Sequence, residues 1–524
     1  MENKIALGNF KIVLSRTKAV LAGGKPVPDP FLTATSLEVF RDAVADGRRL
    51  LPARYQKRYV EVLADVLRQA EFALASTQPR DTRARRAIFE QLQVIFSILA
   101  APIVQLRSSQ YQRELKAFLA EISNIYRRFI NDDQVQKGAK IKLLSPDLDP
   151  LAAFGHDAAG PFTLPASADL PVAIVSKPSN QRHFLPLWAA DGHEVGGHDI
   201  YGAVDGFQRD LKQALETNLR AAFRSGRIQT SSKTVEVPGN GGLLAWLGGL
   251  LGFGNAKTIS MEDFMVQVWS AWLNESAADH AGLVNLGPMY LDSLMLLLTA
   301  LRPVEQLSTF SVFDRKVFAT SDGFEEHPID VVRALLNIEA IKRLQFAGKD
   351  AYARALTDRL LDICGGSLPK YVFWYDRNKQ RVINVAFSDF QAVLPVIVET
   401  MLDAKLPALA NQSFGEILNW LDSDETIVQA VAVKLVAGDT TFGDEVEARH
   451  VVAASMLALE KASKEKTDFA AAANDIHETG ISMLKEMYDQ QCILCSVTNP
   501  APSSKPAPDL TRLFEHIHIK ARVR

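Results

Sequence analysis

Cysteine is nearly missing: Cys364, Cys492 and Cys495 are the three in 524 residues. So odd and sparse a set builds no disulfide framework and suits a reducing compartment. A dominant charge of one sign is missing too. The 58 basic and 61 acidic residues leave a net charge of −3, and no long basic run carries interleaved aromatics, which excludes the electrostatic footprint of a nucleic-acid-binding protein. Long apolar runs are also lacking. Residues 239–255 are apolar but short and full of glycine, and residues 291–301 meet Asp292 at their second position; a spanning helix needs about 20 apolar residues. The first stretch reads as a loop and the second as a buried helix. The amino terminus, MENKIALGNFKIVLSRTKAV, has neither the apolar core nor the small-residue cleavage pattern of a secretory leader. No internal repeat is visible. These absences predict a cytoplasmic protein with no transmembrane segment and no nucleic-acid partner.

What is present is ordinary globular composition, 47% hydrophobic and 23% charged, on a chain long enough for several domains with substantial cores. Apolar residues recur at three and four from residue 36 to about 132, so residues 1–145 form a helical amino-terminal region. Proline and glycine then cluster between Pro146 and Pro165. The run LPVAIVSKP, residues 170–178, is β-branched and bounded by turn formers, and predicts a strand. If its edge is open, an extended substrate backbone has a place to pair. Residues 261–286 show a long helical pattern with Trp269 and Trp272 on its apolar side, expected in the core. Two β-rich runs around DRNKQ predict a hairpin over residues 371–387. The rest of residues 346–498 is mostly helical, and residues 499–524 are a proline-rich linker and tail.

The chemistry concentrates in DGHEVGGHDIYG, where His193 and His198 stand five residues apart. On a regular helix that spacing turns the two side chains about 140° apart, whereas one extra residue absorbed as a π-type bulge returns them to one face. Gly196 and Gly197 ease that distortion. Glu194 follows the first histidine directly. In zinc hydrolases two neutral imidazoles bind the metal while an adjacent carboxylate takes the proton from metal-activated water. A third ligand must come from elsewhere, and NESAADHAG offers Glu275 with Asp279 four residues on, on the same helical face. One carboxylate can bind zinc while the other fixes the tautomer of a ligand histidine. A further segment, EEHPIDVVRALL, supplies His327 as a donor for the oxyanion, with Arg333 on the same segment.

HEVGGH followed by NESAAD resembles the active site of the dipeptidyl peptidase III family, whose members carry HExxGH and then a helix reading EExxAE. Asn274 stands where that family has its first glutamate and Asp279 where it has its last. The resemblance covers two short segments and implies zinc ligands at His193, His198 and Glu275, a general base at Glu194 and a supporting carboxylate at Asp279. HPIDVVR is similar to the HPxxxxR motif of membrane-embedded gluzincins of the prenyl-protease type, which places His327 and Arg333 at the same site.

The fold these readings predict is mainly α (α+β): a zincin-like metallopeptidase core over residues 146–345 with a small sheet, carrying the glycine-rich insertion 239–255 and flanked by helical regions. The predicted activity is zinc-dependent hydrolysis of peptide bonds, with a peptide as substrate. Two alternatives stand beside it, a zinc-containing binding or scaffold protein without catalysis and a zinc hydrolase of a non-peptide amide. Cys492 and Cys495 with His516 and His518 form a weaker candidate for a second zinc site. His280 reads as a structural histidine or a cleft residue, and Tyr201 and Tyr290 as half-buried tyrosines or transition-state donors. His156, His450 and His477 carry no signal.

Overall fold

The computed structural model describes residues 5, 7–23, 27–130, 141–144, 148–155, 161–167, 170–237, 257–301, 317–318, 327–375, 381–491 and 493–494. The expected glycine-rich insertion, the proline-rich tail, Cys492, Cys495, His516, His518 and His156 lie outside them. Cys364 is buried.

The periodic stretch after residue 36 forms helices Glu38–Leu50, Glu61–Ser76, Thr82–Leu99, Ala101–Arg107 and Gln112–Ile130. Their apolar stripes divide between two cores. Phe40, Tyr55, Tyr59, Leu63, Phe96 and Ile103 fill a smaller one with Leu151, Leu164 and Ile174. Helix Gln112–Ile130 turns its Phe118, Ile122 and Phe129 instead into the larger core, which also takes residues from the centre and the carboxy-terminal helices. Ion pairs Arg113 to Glu478 and Lys116 to Asp489 tie that helix to helix Phe469–Gln491. Helix Phe10–Gly23, ahead of the periodic stretch, packs on the same core through Phe10, Val13 and Leu14.

The sheets are small, and the molecule is mainly helical. Strands β1 (Leu151–Gly155), β2 (Phe162–Leu164) and β3 (Ile174–Pro178) form a three-stranded sheet in the order β1-β3-β2. β3 pairs parallel with β1 and antiparallel with β2. It is therefore the central strand, buried along its whole length, and the expected open edge for a substrate backbone does not exist there: both rows of its main-chain donors and acceptors are already used. Alternation assigns the two faces. Leu151, Leu164 and Ile174 point into the smaller core, while Phe154 and Val175 point into the larger one.

β4 (Thr234–Val237) and β5 (Lys257–Ser260) form an antiparallel pair. The hairpin expected near residues 371–387 is present as antiparallel β7 (Tyr371–Tyr375) and β8 (Arg381–Ala386), with the short β6 (Val317–Phe318) parallel to β7. Helix Met261–Leu286 starts where the sequence pattern starts, its Ser260 hydroxyl accepting from the backbone N–H of Asp263 at 3.0 Å. Trp269 and Trp272 are fully buried within it, their rings edge to face at 5.4 Å. Gly287, at φ 65°, ends that helix and sends Pro288–Ala300 back along it as a buried apolar helix. Among the described residues no single helix is long and apolar enough to cross a membrane.

Candidate metal centre

β3 runs through two short 3-10 turns, Ser179–His183 and Leu185–Ala189, into the segment that carries the histidines. Pro186 lies in the first turn of the second of these. The histidine helix begins as α over Ala190–His193, widens to a π-helix over Glu194–Asp199 and returns to α over Ile200–Ala203. This is the widened turn that a five-residue histidine spacing requires. The His193 and His198 rings lie 4.8 Å apart at 86° and face one point.

The glycines have a second reason to be there. A Cβ on Gly197 would sit 2.4 Å from Cβ of Ala278 and 2.5 Å from its Cα, and one on Gly196 would meet the Asn285 side-chain nitrogen at 2.6 Å. Contacts this close mean that the histidine helix and helix Met261–Leu286 touch backbone to backbone. That approach brings Glu275 into the site: its Oε2 is 3.3 Å from Nε2 of His193 and its Oε1 is 3.4 Å from Nε2 of His198. One ligand atom each from His193, His198 and Glu275 lies within 4.8 Å of the others, and all three residues are buried. Two imidazole nitrogens and a carboxylate oxygen, converging at distances a single cation spans, make a group that could hold a metal ion.

The surroundings orient the ligands. Nδ1 of His193 bonds Oδ1 of Asp279 at 2.8 Å. Asp279 in turn receives Arg333 through Nε at 2.8 Å and Nη2 at 2.6 Å, and the Tyr290 hydroxyl at 2.7 Å. Burial works against a charged Asp279, but the Arg333 guanidinium and His193 outweigh it and hold the carboxyl well below the usual range. Burial likewise opposes charge on Glu275, and hydrogen bonds from the two histidines hold it well below its ordinary value. For His193 burial lowers proton affinity, yet Asp279 and Glu275 together push the imidazole up to about 10.

Each expected site residue has a definite place. Glu194 is buried on the π turn beside His193. His327 stands at the rim, with a side chain 37% exposed and its Nε2 3.5 Å from Oε2 of Glu275. Arg333 and Asp279 form the buried pair just described. Tyr201 donates its hydroxyl to the Ala277 carbonyl at 2.6 Å and Tyr290 donates to Asp279, so both phenols are committed within the fold and neither is a free transition-state donor. Nδ1 of His280 bonds the Ser276 carbonyl at 2.7 Å, the role of a structural histidine. His450 pairs with Asp424 at 3.0 Å, and Nδ1 of His477 accepts from the Leu185 N–H at 3.2 Å.

A cluster behind the histidine helix escaped the sequence reading. Lys177 on β3 is fully buried with Asp191 of the histidine helix and Glu121 of helix Gln112–Ile130, its Nζ in close contact with Asp191 and 3.8 Å from Glu121. The ammonium also lies 3.7 Å from the ring centroid of Trp188 and 4.2 Å from that of Phe118. Burial raises both carboxyls and lowers the ammonium, with Glu121 well above the usual carboxylate range. The available signal was a lysine near the end of the largely apolar run 170–178.

The chain matches no known protein-family model, no curated protein and no solved structure.

Proposed function

We propose that this chain is a zinc-dependent hydrolase of peptide bonds, with a zincin-type core built from the β1-β3-β2 sheet, the histidine helix and helix Met261–Leu286. The observation that carries the reading is the convergence of His193, His198 and Glu275 within 4.8 Å on either side of a π turn that also bears Glu194. A donor set of two neutral imidazoles and one carboxylate suits zinc, and the Asp279 contact that fixes Nδ1 of His193 leaves Nε2 for the metal. When bound, zinc lowers the pKa of water and polarises a carbonyl oxygen.

The remaining work falls to the chain's own groups. Glu194 takes the proton of the attacking water and passes it to the leaving amine, as a carboxylate placed beside the first ligand histidine can. His327, at the solvent-facing rim, donates a hydrogen bond to the oxyanion formed from the scissile carbonyl. Arg333 keeps Asp279 ionised, and Asp279 keeps His193 in the ligating tautomer.

The experiment that tests the reading is metal analysis of the purified protein coupled to a peptide-library cleavage assay. Zinc bound with cleavage of library members supports it. Zinc bound with no cleavage of any peptide or amide returns the chain to the binding-protein alternative.

A further inference from the structure

The histidine helix carries two buried aspartates that bracket its ligands, Asp191 ahead of His193 and Asp199 directly after His198. Aspartate is a poor residue for a helix interior and a costly one to bury, so two of them need partners. Both find them on the β1-β3-β2 sheet. Asp191 is in close contact with the Lys177 ammonium of β3. Asp199 accepts a hydrogen bond from the Thr163 hydroxyl of β2, Oγ1 to Oδ1 at 2.5 Å. That hydroxyl also lies 3.4 Å from the Ile174 carbonyl, and its single proton goes to the much shorter contact. All four side chains are fully buried.

These contacts select the π turn. Such a turn is rare and takes up one residue more than a regular one, so something must outweigh its cost. If Glu194–Asp199 relaxed to a regular α-helix, every residue beyond the turn would rotate by about 100° relative to His193. His198 would leave the metal site, and Asp199 beside it would leave Thr163. The register that aims His198 at Glu275 is therefore the register that aims Asp199 at β2. Lys177 holds the other end through Asp191, so the rotation cannot be passed back to Ala190–His193.

We propose that Thr163 is a positioning residue for the metal centre: with Lys177 it clamps the histidine helix to the sheet at both ends, so that the π turn is set before a metal binds. The proposal rests on the metal reading of His193, His198 and Glu275 and not on peptide hydrolysis. A site held in this way loses little order on binding, which favours affinity.

The test uses Co²⁺ as probe, because its visible absorption reports the geometry of its ligands. Full-length wild type and Thr163→Val are freed of metal with a chelator, titrated with Co²⁺ and unfolded thermally in parallel. Thr163→Val should bind about tenfold more weakly, with altered absorption bands, as expected when an outer support of a ligand is lost. Thr163→Ser, which keeps the hydroxyl, should restore both. A merely structural role would lower the unfolding temperature and leave bands and affinity as in wild type; that result overturns the clamp alone. Failure of Thr163→Ser to restore them assigns the effect to packing and also overturns it. A wild type that binds no Co²⁺ overturns the metal reading and the clamp with it. If Thr163→Val does not fold, amide exchange on the metal-free wild type decides: protection across Glu194–Asp199 is expected, and rapid exchange there overturns the proposal.

Discussion

Asp279 holds His193 by its Nδ1 at 2.8 Å while Arg333 holds Asp279 through two bonds, so a buried guanidinium sets the orientation of a candidate ligand imidazole from two residues away. Asp279→Ala should therefore lower zinc affinity by about 10- to 100-fold, the usual cost of losing an outer partner of a ligand histidine. Competition against a chelator of known affinity reads this directly, and an affinity within twofold of wild type would remove Asp279 from the metal centre.

Metal binding should release a proton. Zinc needs the Nε2 lone pair of His193, and the two carboxylates push that imidazole up to about 10 in the metal-free chain. A raised folded pKa means that protonation stabilises the metal-free fold fully below the unfolded value of about 6.5, and that this contribution is lost as pH rises through about 10. Between those limits apparent zinc affinity should rise by about tenfold per pH unit. Titration in weak buffer at neutral pH should show about one proton released per zinc; none released would show that His193 is neutral before binding.

Gly197 leaves no room for a side chain against Ala278. Gly197→Val should push the histidine helix away from helix Met261–Leu286, separating Glu275 from the histidines and costing metal affinity by more than tenfold, since overpacking in a close contact also costs about 1–3 kcal/mol of stability. Zinc titration beside thermal unfolding distinguishes the two effects. Full affinity in a folded Gly197→Val protein would contradict the packing argument.

Much of this was legible in the sequence because it is local. The histidine spacing, the helix over residues 261–286 and the buried helix after Gly287 follow from periodicity and turn chemistry alone. So does the π turn, because five residues between ligands leave no regular helix that serves. Three features were not legible. β3 looked like an available edge because its alternation and composition are the same in a central strand as at an edge, and only the pairing of β1 and β2 on its two sides decides. The glycines suggested helix distortion, while their close approach to Ala278 and Asn285 depends on a helix far along the chain. Lys177, Asp191 and Glu121 come from three separate segments, and no one-dimensional pattern joins them.

The same buried cluster makes a stability prediction. Lys177→Met leaves Asp191 and Glu121 without their cation, and breaking a buried pair typically costs about 3–5 kcal/mol. Because burial already raises both carboxyls, the penalty should shrink at acid pH as they take up protons and grow as pH rises. Adding Asp191→Asn and Glu121→Gln should recover most of the loss. Urea denaturation at pH 5 and pH 8 checks the sign; a loss that is larger at pH 5 would contradict the assignment of charge.

The central claim is that one residue on the π turn moves the proton while its neighbours hold the metal, and Glu194→Gln tests it most directly. Zinc content and peptide cleavage are measured together on the wild type and the variant. The account predicts about one zinc per chain in both, with cleavage by the wild type and none detectable from Glu194→Gln. Wild-type turnover in Glu194→Gln, or a zinc-loaded wild type that cleaves no peptide, would contradict it.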